Sequence, residues 1–294
     1  MKEETLKGKL WTVHISKRDS NHKIGRYILS IILALFGFIQ LYPLIWLVLF
    51  SLKDNSEIFG GNIVGLPEKF LWQNYSSALF NGNVMHYFLN SVIVTFSTIA
   101  ISGLLACMAS YAIARMKWKL SKTVLIFFLL GLMIPIHAAL LPLFLILRDL
   151  KLLNSYWALI IPYVAFALPM AIFILTGFFQ TIPKEMEESA CIDGCSIYRT
   201  FYAIMLPLVK PAIATISIFT YLSAWNELMF AITFISKQQF KTLTVGIMSL
   251  AGQYITEWGP IGAGLVVSTL PTIIIYVLMS DQVQKSLTAG AVKG

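Results

Sequence analysis

The sequence predicts an all-α membrane protein with six transmembrane helices, and three observations carry that prediction. Hydrophobic residues make up 57% of the 294 positions and charged residues 12%, too few charges to cover a soluble surface of this size. Six stretches reach the ~20 mostly apolar residues that a bilayer-crossing helix needs. They run from Tyr27 to Phe50, Phe88 to Ala114, Thr123 to Leu147, Tyr156 to Phe179, Pro211 to Ile235 and Ile261 to Ser280. Finally, with both termini placed in the cytoplasm, the inner segments hold 16 of the 22 lysines and arginines and the outer segments hold 6, which is the positive-inside bias. The net charge of +8 is therefore read as setting orientation and meeting anionic membrane lipid, and not as a nucleic-acid surface.

Taken in order, residues 1–26 form a polar, basic tail. The first apolar run is too long for a signal-peptide core, and Ser51-Leu52-Lys53-Asp54 offers no small-x-small cleavage site, so an uncleaved span is expected. The outer segment that follows carries turn signals at Gly60-Gly61-Asn62 and Pro67. Its amphipathic piece around Leu71, Tyr75, Leu79 and Phe80 reads as an interfacial helix. A short basic turn, Arg115 to Lys119, joins spans two and three. Pro135 and Pro142 fall in span three, and Pro162 and Pro169 in span four, so both spans are expected to be kinked or locally unwound there. His137 reads as a hydrogen-bonded interior histidine.

Between spans four and five, residues 180–210 read like a soluble insert. Pro183 suits the start of a helix, and Glu185, Glu187 and Glu188 place negative charge near its positive N-terminus. Asp193-Gly194 is a turn signal. Ser196 can cap a second helix, in which Ile197, Phe201, Ile204, Met205 and Leu208 recur at helical spacing. Helix, turn, helix is the expectation. Cys107, Cys191 and Cys195 give no disulfide framework, and with no histidine nearby the last two read as packing residues, not metal ligands.

Span five carries Tyr221, Trp225, Asn226 and Glu227, a strongly polar cluster in an apolar helix. A carboxylate at bilayer depth costs ~2.5 to 3.5 kcal/mol on insertion scales, while each Leu, Ile or Phe returns ~0.3 to 0.6. The surrounding apolar residues offset that cost, and Glu227 must face protein or water. Whether it lines a translocation pathway or braces helices stays open at this level. The chain has no Gly-rich phosphate loop with Gly-Lys-Ser/Thr, no paired intramembrane carboxylates and no nucleophile with a base at motif spacing. No catalytic residue, metal or cofactor is called for.

The order Glu188-Ser189-Ala190, then Gly194, then Ile204-x-Leu206-Pro207 resembles the Glu-Ala-Ala loop of permease subunits in ATP-binding-cassette importers. Ser189 stands where that family usually has Ala. Two further stretches resemble the carbohydrate, maltose-type branch: Leu71-Trp72-Gln73-Asn74-Tyr75 followed by Leu89-Asn90-Ser91, and Trp225-Asn226-Glu227. The terminus Leu287 to Gly294 resembles that branch too. The resemblance implies a type I importer permease fold spanning 27–281, with cytoplasmic tails at 1–26 and 282–294, in a bacterial or archaeal inner membrane. It implies that Glu188, Ser189, Ala190, Asp193, Gly194, Ile204, Leu206 and Pro207 couple to an ATPase, the loop docking as a coupling helix. It also implies a heterodimeric second permease, two ATP-binding-cassette ATPases and an extracytoplasmic solute-binding protein, with Gln253 and Tyr254 as candidate contacts to the last. The solute would be a sugar or oligosaccharide. Another small polar solute such as glycerol-phosphate or a polyamine, or a scaffold that docks an ATPase without transport, are the alternatives.

Overall fold

The computed structural model describes residues 18–251 and 256–291, with side chains over 25–251 and 256–280, and every regular element among them is helical. Helix α1 (Arg18–Phe50) is long and apolar, and its most hydropathic window is 0% buried within the chain. Helix α2 (Asn55–Phe59) is capped by Asp54, whose carboxylate accepts the Glu57 N–H at 2.8 Å. Helix α3 (Gln73–Ser76) continues into a π turn, Ser77–Asn81, which is the expected amphipathic piece: Ala78 is buried while Trp72 and Phe80 are exposed. Helix α4 (Val84–Arg115) follows.

The third apolar run is broken, as its first proline suggested. Helix α5 (Ser121–Leu130) with the 3₁₀ turn Gly131–Met133 meets Ile136–Ala139 and helix α6 (Leu140–Asp149) at 91°, the break falling at Ile134 and Pro135. His137 is exposed at that break, which corrects the expectation of an interior histidine. Helix α7 (Trp157–Thr181) runs through Pro162 and Pro169 without a break, so the local unwinding expected there is absent. Both prolines are buried among neighbouring elements. Gly131 packs so close to the Pro169 ring that a Cβ there would lie 2.8 Å from Cγ. Tight packing around a proline lets the surroundings hold a helix that the proline alone would weaken.

Helices α8 (Glu185–Ile192) and α9 (Ile197–Thr200), a π turn Phe201–Met205 and helix α10 (Leu206–Leu208) form the insert. Helix α11 (Lys210–Trp225) leaves it at a bend of 74°. Span five then differs from expectation: α11 stops at Trp225, and the apolar run resumes only as the short helix α12 (Met229–Phe234). Helix α13 (Leu243–Met248) and helix α14 (Trp258–Ala291) complete the described elements. By length and composition, four helices can cross a membrane, or six if each bent pair counts as one span.

The bundle is organised by α4 against α7. Thr98, Ser102, Ala106 and Ser110 form a buried stripe of small side chains along α4, so that backbones approach and Ser110 Oγ donates to the Ile172 carbonyl at 3.2 Å. Helix α11 packs on both and on α14. Helix α1 touches α14, where a Cβ on Gly262 would lie 2.8 Å from Phe50 Cδ1.

At the end formed by the start of α4 and the start of α14, asparagines tie the loops down. Asn55 Nδ2 donates to the Thr256 carbonyl at 2.7 Å and its Oδ1 accepts the Trp258 N–H at 2.9 Å. Asn74 donates to the carbonyls of Ser51 and Lys53, both at 2.9 Å. Asn90, 1% exposed, donates to the carbonyls of Gln239 and Lys241 and accepts the Tyr156 hydroxyl at 2.7 Å. Asn154 Oδ1 accepts the N–H groups of Ser236 and Lys237, each at 2.7 Å. Its backbone sits at φ +58°, a left-handed conformation that asparagine tolerates better than most residues.

Candidate functional site

At the other end of the bundle, residues 182–209 project between the end of α7 and the start of α11. The three acidic residues expected in the first turn of α8 are there, and the helix ends as the sequence indicates. Asp193 N–H donates to the Ser189 carbonyl at 3.0 Å, Gly194 N–H to Cys191 at 3.0 Å and Cys195 N–H to Ala190 at 2.9 Å. Gly194 has φ +73°, so the turn demands the left-handed backbone that glycine takes without steric cost. Ser196 Oγ then accepts the Arg199 N–H at 3.4 Å and starts α9.

The expected coupling residues divide between two surroundings. Glu188, Ser189, Asp193 and Gly194 are exposed. Ala190 is 3% exposed and faces the chain's own interior, where its small size lets α8 lie near its own bundle. Ile204 and Leu206 are half-buried and Pro207 is exposed, on a segment anchored by Phe201, Met205 and Val209, which join a cluster with Tyr111 of α4 and Leu175 and Phe179 of α7. Apolar side chains nevertheless stand outward on the loop: Ile192 is 86% exposed and Tyr198 76%, with Ile197 and Tyr202 beside them.

Arg115, counted in the sequence only as an inner charge, is the residue that sequence reasoning missed. From the last turn of α4, its Nε donates to Glu187 Oε2 at 2.6 Å and its Nη2 pairs with the same carboxylate. Nη1 donates to the carbonyls of Phe179 at 3.3 Å and Ile182 at 2.9 Å, and Nη2 to Pro183 at 3.4 Å. No local pattern announces a partner 72 residues away.

The polar cluster of span five also divides. Tyr221 stacks on Trp225 with ring centroids 5.4 Å apart. The tyrosine hydroxyl meets Thr272 Oγ1 at 3.2 Å, and the indole N–H donates to the Ser268 carbonyl at 3.1 Å. Both are buried against α14 and neither lines the cavity beside them. Asn226 is exposed and donates to Leu222, one turn back. Glu227 is different. It occupies the break after α11 and accepts three donors: the Tyr163 hydroxyl at 2.6 Å, the Phe230 N–H at 2.8 Å and the Ala231 N–H at 3.1 Å. It thereby caps α12 and joins the broken span to α7. The same carboxylate sits at the edge of a cavity of about 290 Å³, lined by Thr98 of α4, Phe166 and Met170 of α7, and Phe219 and Ser223 of α11. Gln253 and Tyr254 lie outside the described residues. Cys107 is buried, Cys191 exposed and Cys195 half-buried, all as free thiols.

Residues 102–289 match the family described as "Binding-protein-dependent transport system inner membrane component". The chain is 36% identical to "Probable ABC transporter permease protein YurM" of Bacillus subtilis, over 96% of this chain and 94% of that protein. It is 35% identical to "Trehalose/maltose transport system permease protein MalG" of Thermococcus litoralis, over 92% of this chain and 98% of that one. "Sulfoquinovosyl glycerol transport system permease protein SmoH" of Agrobacterium fabrum is 36% identical over 92% of this chain and 93% of its own length. Among solved structures, a chain of "a bacterial ABC transporter involved in the import of the acidic polysaccharide alginate" shares the fold with a TM-score of 0.78 at 21% identity, covering 92% of this chain and 99% of that one.

Proposed function

The chain belongs to the family of binding-protein-dependent transport system inner membrane components, and on that premise we propose that it is a transmembrane permease subunit of an ATP-driven importer for a sugar or oligosaccharide. The observation that carries this reading is the insert after α7, which turns the carboxylate of Glu188, the small Ser189 and the apolar faces of Ile192 and Tyr198 outward on a scaffold rooted in the bundle. Apolar side chains so exposed on a polar loop suit a protein partner. The partner is an ATPase of the ATP-binding-cassette class. Glu188 meets a basic group in its cleft, and Asp193-Gly194 sets the angle between α8 and α9. Ile204, Leu206 and Pro207 join the loop to α11, so ATPase closure moves the helices behind them.

Transport needs further partners: two such ATPases, a second permease that pairs with this one, an extracytoplasmic solute-binding protein, and the lipid around the spans. The chain itself supplies no catalytic residue. Both tails, 1–26 and 282–294, lie in the cytoplasm on the charge distribution, and the six-span domain covers 27–281. The names of the relatives, which carry trehalose, maltose and sulfoquinovosyl glycerol, support a carbohydrate solute. In the cavity, the rings of Phe166 and Phe219 offer flat apolar faces beside the hydroxyls of Thr98 and Ser223, a combination that suits a sugar ring. Glu227 holds the Tyr163 hydroxyl of α7 and two backbone N–H groups of α12 at once, which supports the bracing role for it. Gln253 and Tyr254 remain candidate contacts for the binding protein.

Affinity purification of the tagged chain from its own membranes tests this reading, followed by uptake of labelled oligosaccharides into vesicles containing what co-purifies. A second permease, an ATPase and ATP-dependent uptake are expected. Recovery of the ATPase without a second permease or a binding protein would mark the chain as a scaffold and sink the importer reading.

A further inference from the structure

The junction of α4, α7 and α8 carries an inference that rests on the docking reading and deepens it. Helix α7 ends at Thr181 and α8 begins at Glu185, so the linker is only Ile182, Pro183 and Lys184, with Ile182 extended at ψ 130°. Such a linker is a natural hinge. Tyr111 of α4 also meets Glu187 and Ala190 packs inward, but the side chain that bonds both sides of the linker is that of Arg115. The guanidinium of Arg115 bonds the Phe179 carbonyl in the last turn of α7, the Ile182 and Pro183 carbonyls in the linker, and the Glu187 carboxylate in the first turn of α8. The arginine and glutamate side chains are 6% and 22% exposed, so water screens the pair little.

The bond to Ile182 satisfies a carbonyl of the kind that any helix end leaves orphaned, the bond to Phe179 adds to the Ile182 N–H already on that carbonyl, and taken alone both are ordinary capping. The bonds to Glu187 are not, because they tie that cap to the next helix. Only a planar group with several diverging donors reaches all four positions; an ammonium of the same charge does not.

We propose that Arg115 is a positioning residue that locks α8 to the ends of α4 and α7, so that displacement of the docked loop reaches those helices as a rigid-body movement and is not absorbed by bending at Ile182 and Pro183. The small-residue packing of α4 on α7 then carries the displacement along the bundle as one unit.

Spin labels on Phe173→Cys in α7 and Met186→Cys in α8, both exposed and neither on the docking face, read the distance across the linker; Cys191→Ser and Cys195→Ser remove the accessible native thiols. The measurement is made in the full assembly with the partner permease and ATPases, before and after trapping with ATP and vanadate. With the clamp intact, one narrow distance common to both states is expected. Arg115→Gln broadens it and separates the two states, Arg115→Lys gives an intermediate width, and the assembly still hydrolyses ATP. Glu187→Gln removes the ion pair but leaves the capping bonds, and it also broadens the distance. Unchanged narrow distances in both Arg115→Gln and Glu187→Gln would overturn the proposal. Should Arg115→Gln fail to accumulate, Glu187→Gln decides alone. If no ATPase co-purifies with the clamp-intact chain, the docking reading falls, while the same distance measured in the chain alone still decides the clamp.

Discussion

The loops at the start of α4 and α14 are held by neutral amides, with Asn55, Asn74, Asn90 and Asn154 each spending their donors or acceptors on backbone groups far away in sequence. At the opposite end, α8 is held by the charged fork of Arg115, while Ile192 and Tyr198 stand in the open. Satisfied amides fix a surface whatever the salt or the partner, because a buried backbone carbonyl left without its donor costs about 1 to 3 kcal/mol. An exposed apolar face does the reverse: it is unfavourable in water until a partner covers it. The first end is built as a platform and the second as a plug.

The strongest way to break this contrast is Gly194→Val. A β-branched residue at φ +73° costs about 1 to 2 kcal/mol and re-aims α9 against α8, while space around the glycine is open and the bundle is untouched. Uptake should collapse with membrane insertion unchanged, and Glu188→Lys, exposed on α8, should act similarly by repelling a basic partner. Normal transport by both variants in reconstituted vesicles would make the loop a plain connector.

On the platform side, Asn90→Leu leaves the Lys241 carbonyl and the Tyr156 hydroxyl without their partner, and the Gln239 carbonyl with His86 alone. A clear fall in the detergent melting midpoint is expected, whereas an unchanged melt would mean that the loops hold without the amide. Between the two ends, Glu227→Leu should spare assembly but reduce uptake by unpinning α12 from Tyr163; Glu227→Gln, which keeps an acceptor, should be milder. Full uptake in the Leu variant would remove Glu227 from both roles. The gentlest test is topological. Single cysteines at Ser56→Cys and Gln238→Cys should react with an impermeant thiol reagent in intact cells, and ones at Lys119→Cys and Ser286→Cys should not. The reverse pattern would invert the two ends.

Much of the plug was legible in advance because its signals are local. A proline before the helix, acids in the first turn, Asp193-Gly194 and a capping Ser196 are each contained within a few residues, and each appears where the sequence puts it. The platform was not legible, although Leu89-Asn90-Ser91 stands out in the sequence. Asn90 finds its acceptors at Gln239 and Lys241, about 150 positions away, and no spacing along the chain encodes that. Arg115 was hidden for the same reason. The break of span five was missed because Leu228, Phe230 and Ile232 continue the apolar run past Trp225, and hydropathy reports partition into lipid without regard to backbone continuity. The prolines of α7 do not unwind it: they weaken a helix in isolation, but Pro162 and Pro169 are buried among neighbours that keep the helix continuous.

The contact of α1 with α14 sets a timetable for manufacture. Phe50 meets Gly262, so the first described helix cannot be locked until the last has emerged from the ribosome. At ~5 to 20 residues per second, the intervening chain takes on the order of 10 to 40 s to make. Throughout that interval α1 stands in the bilayer as a lone apolar rod, and whatever attends it then, whether lipid, insertion machinery or the nascent partner subunit, has first claim on its surface.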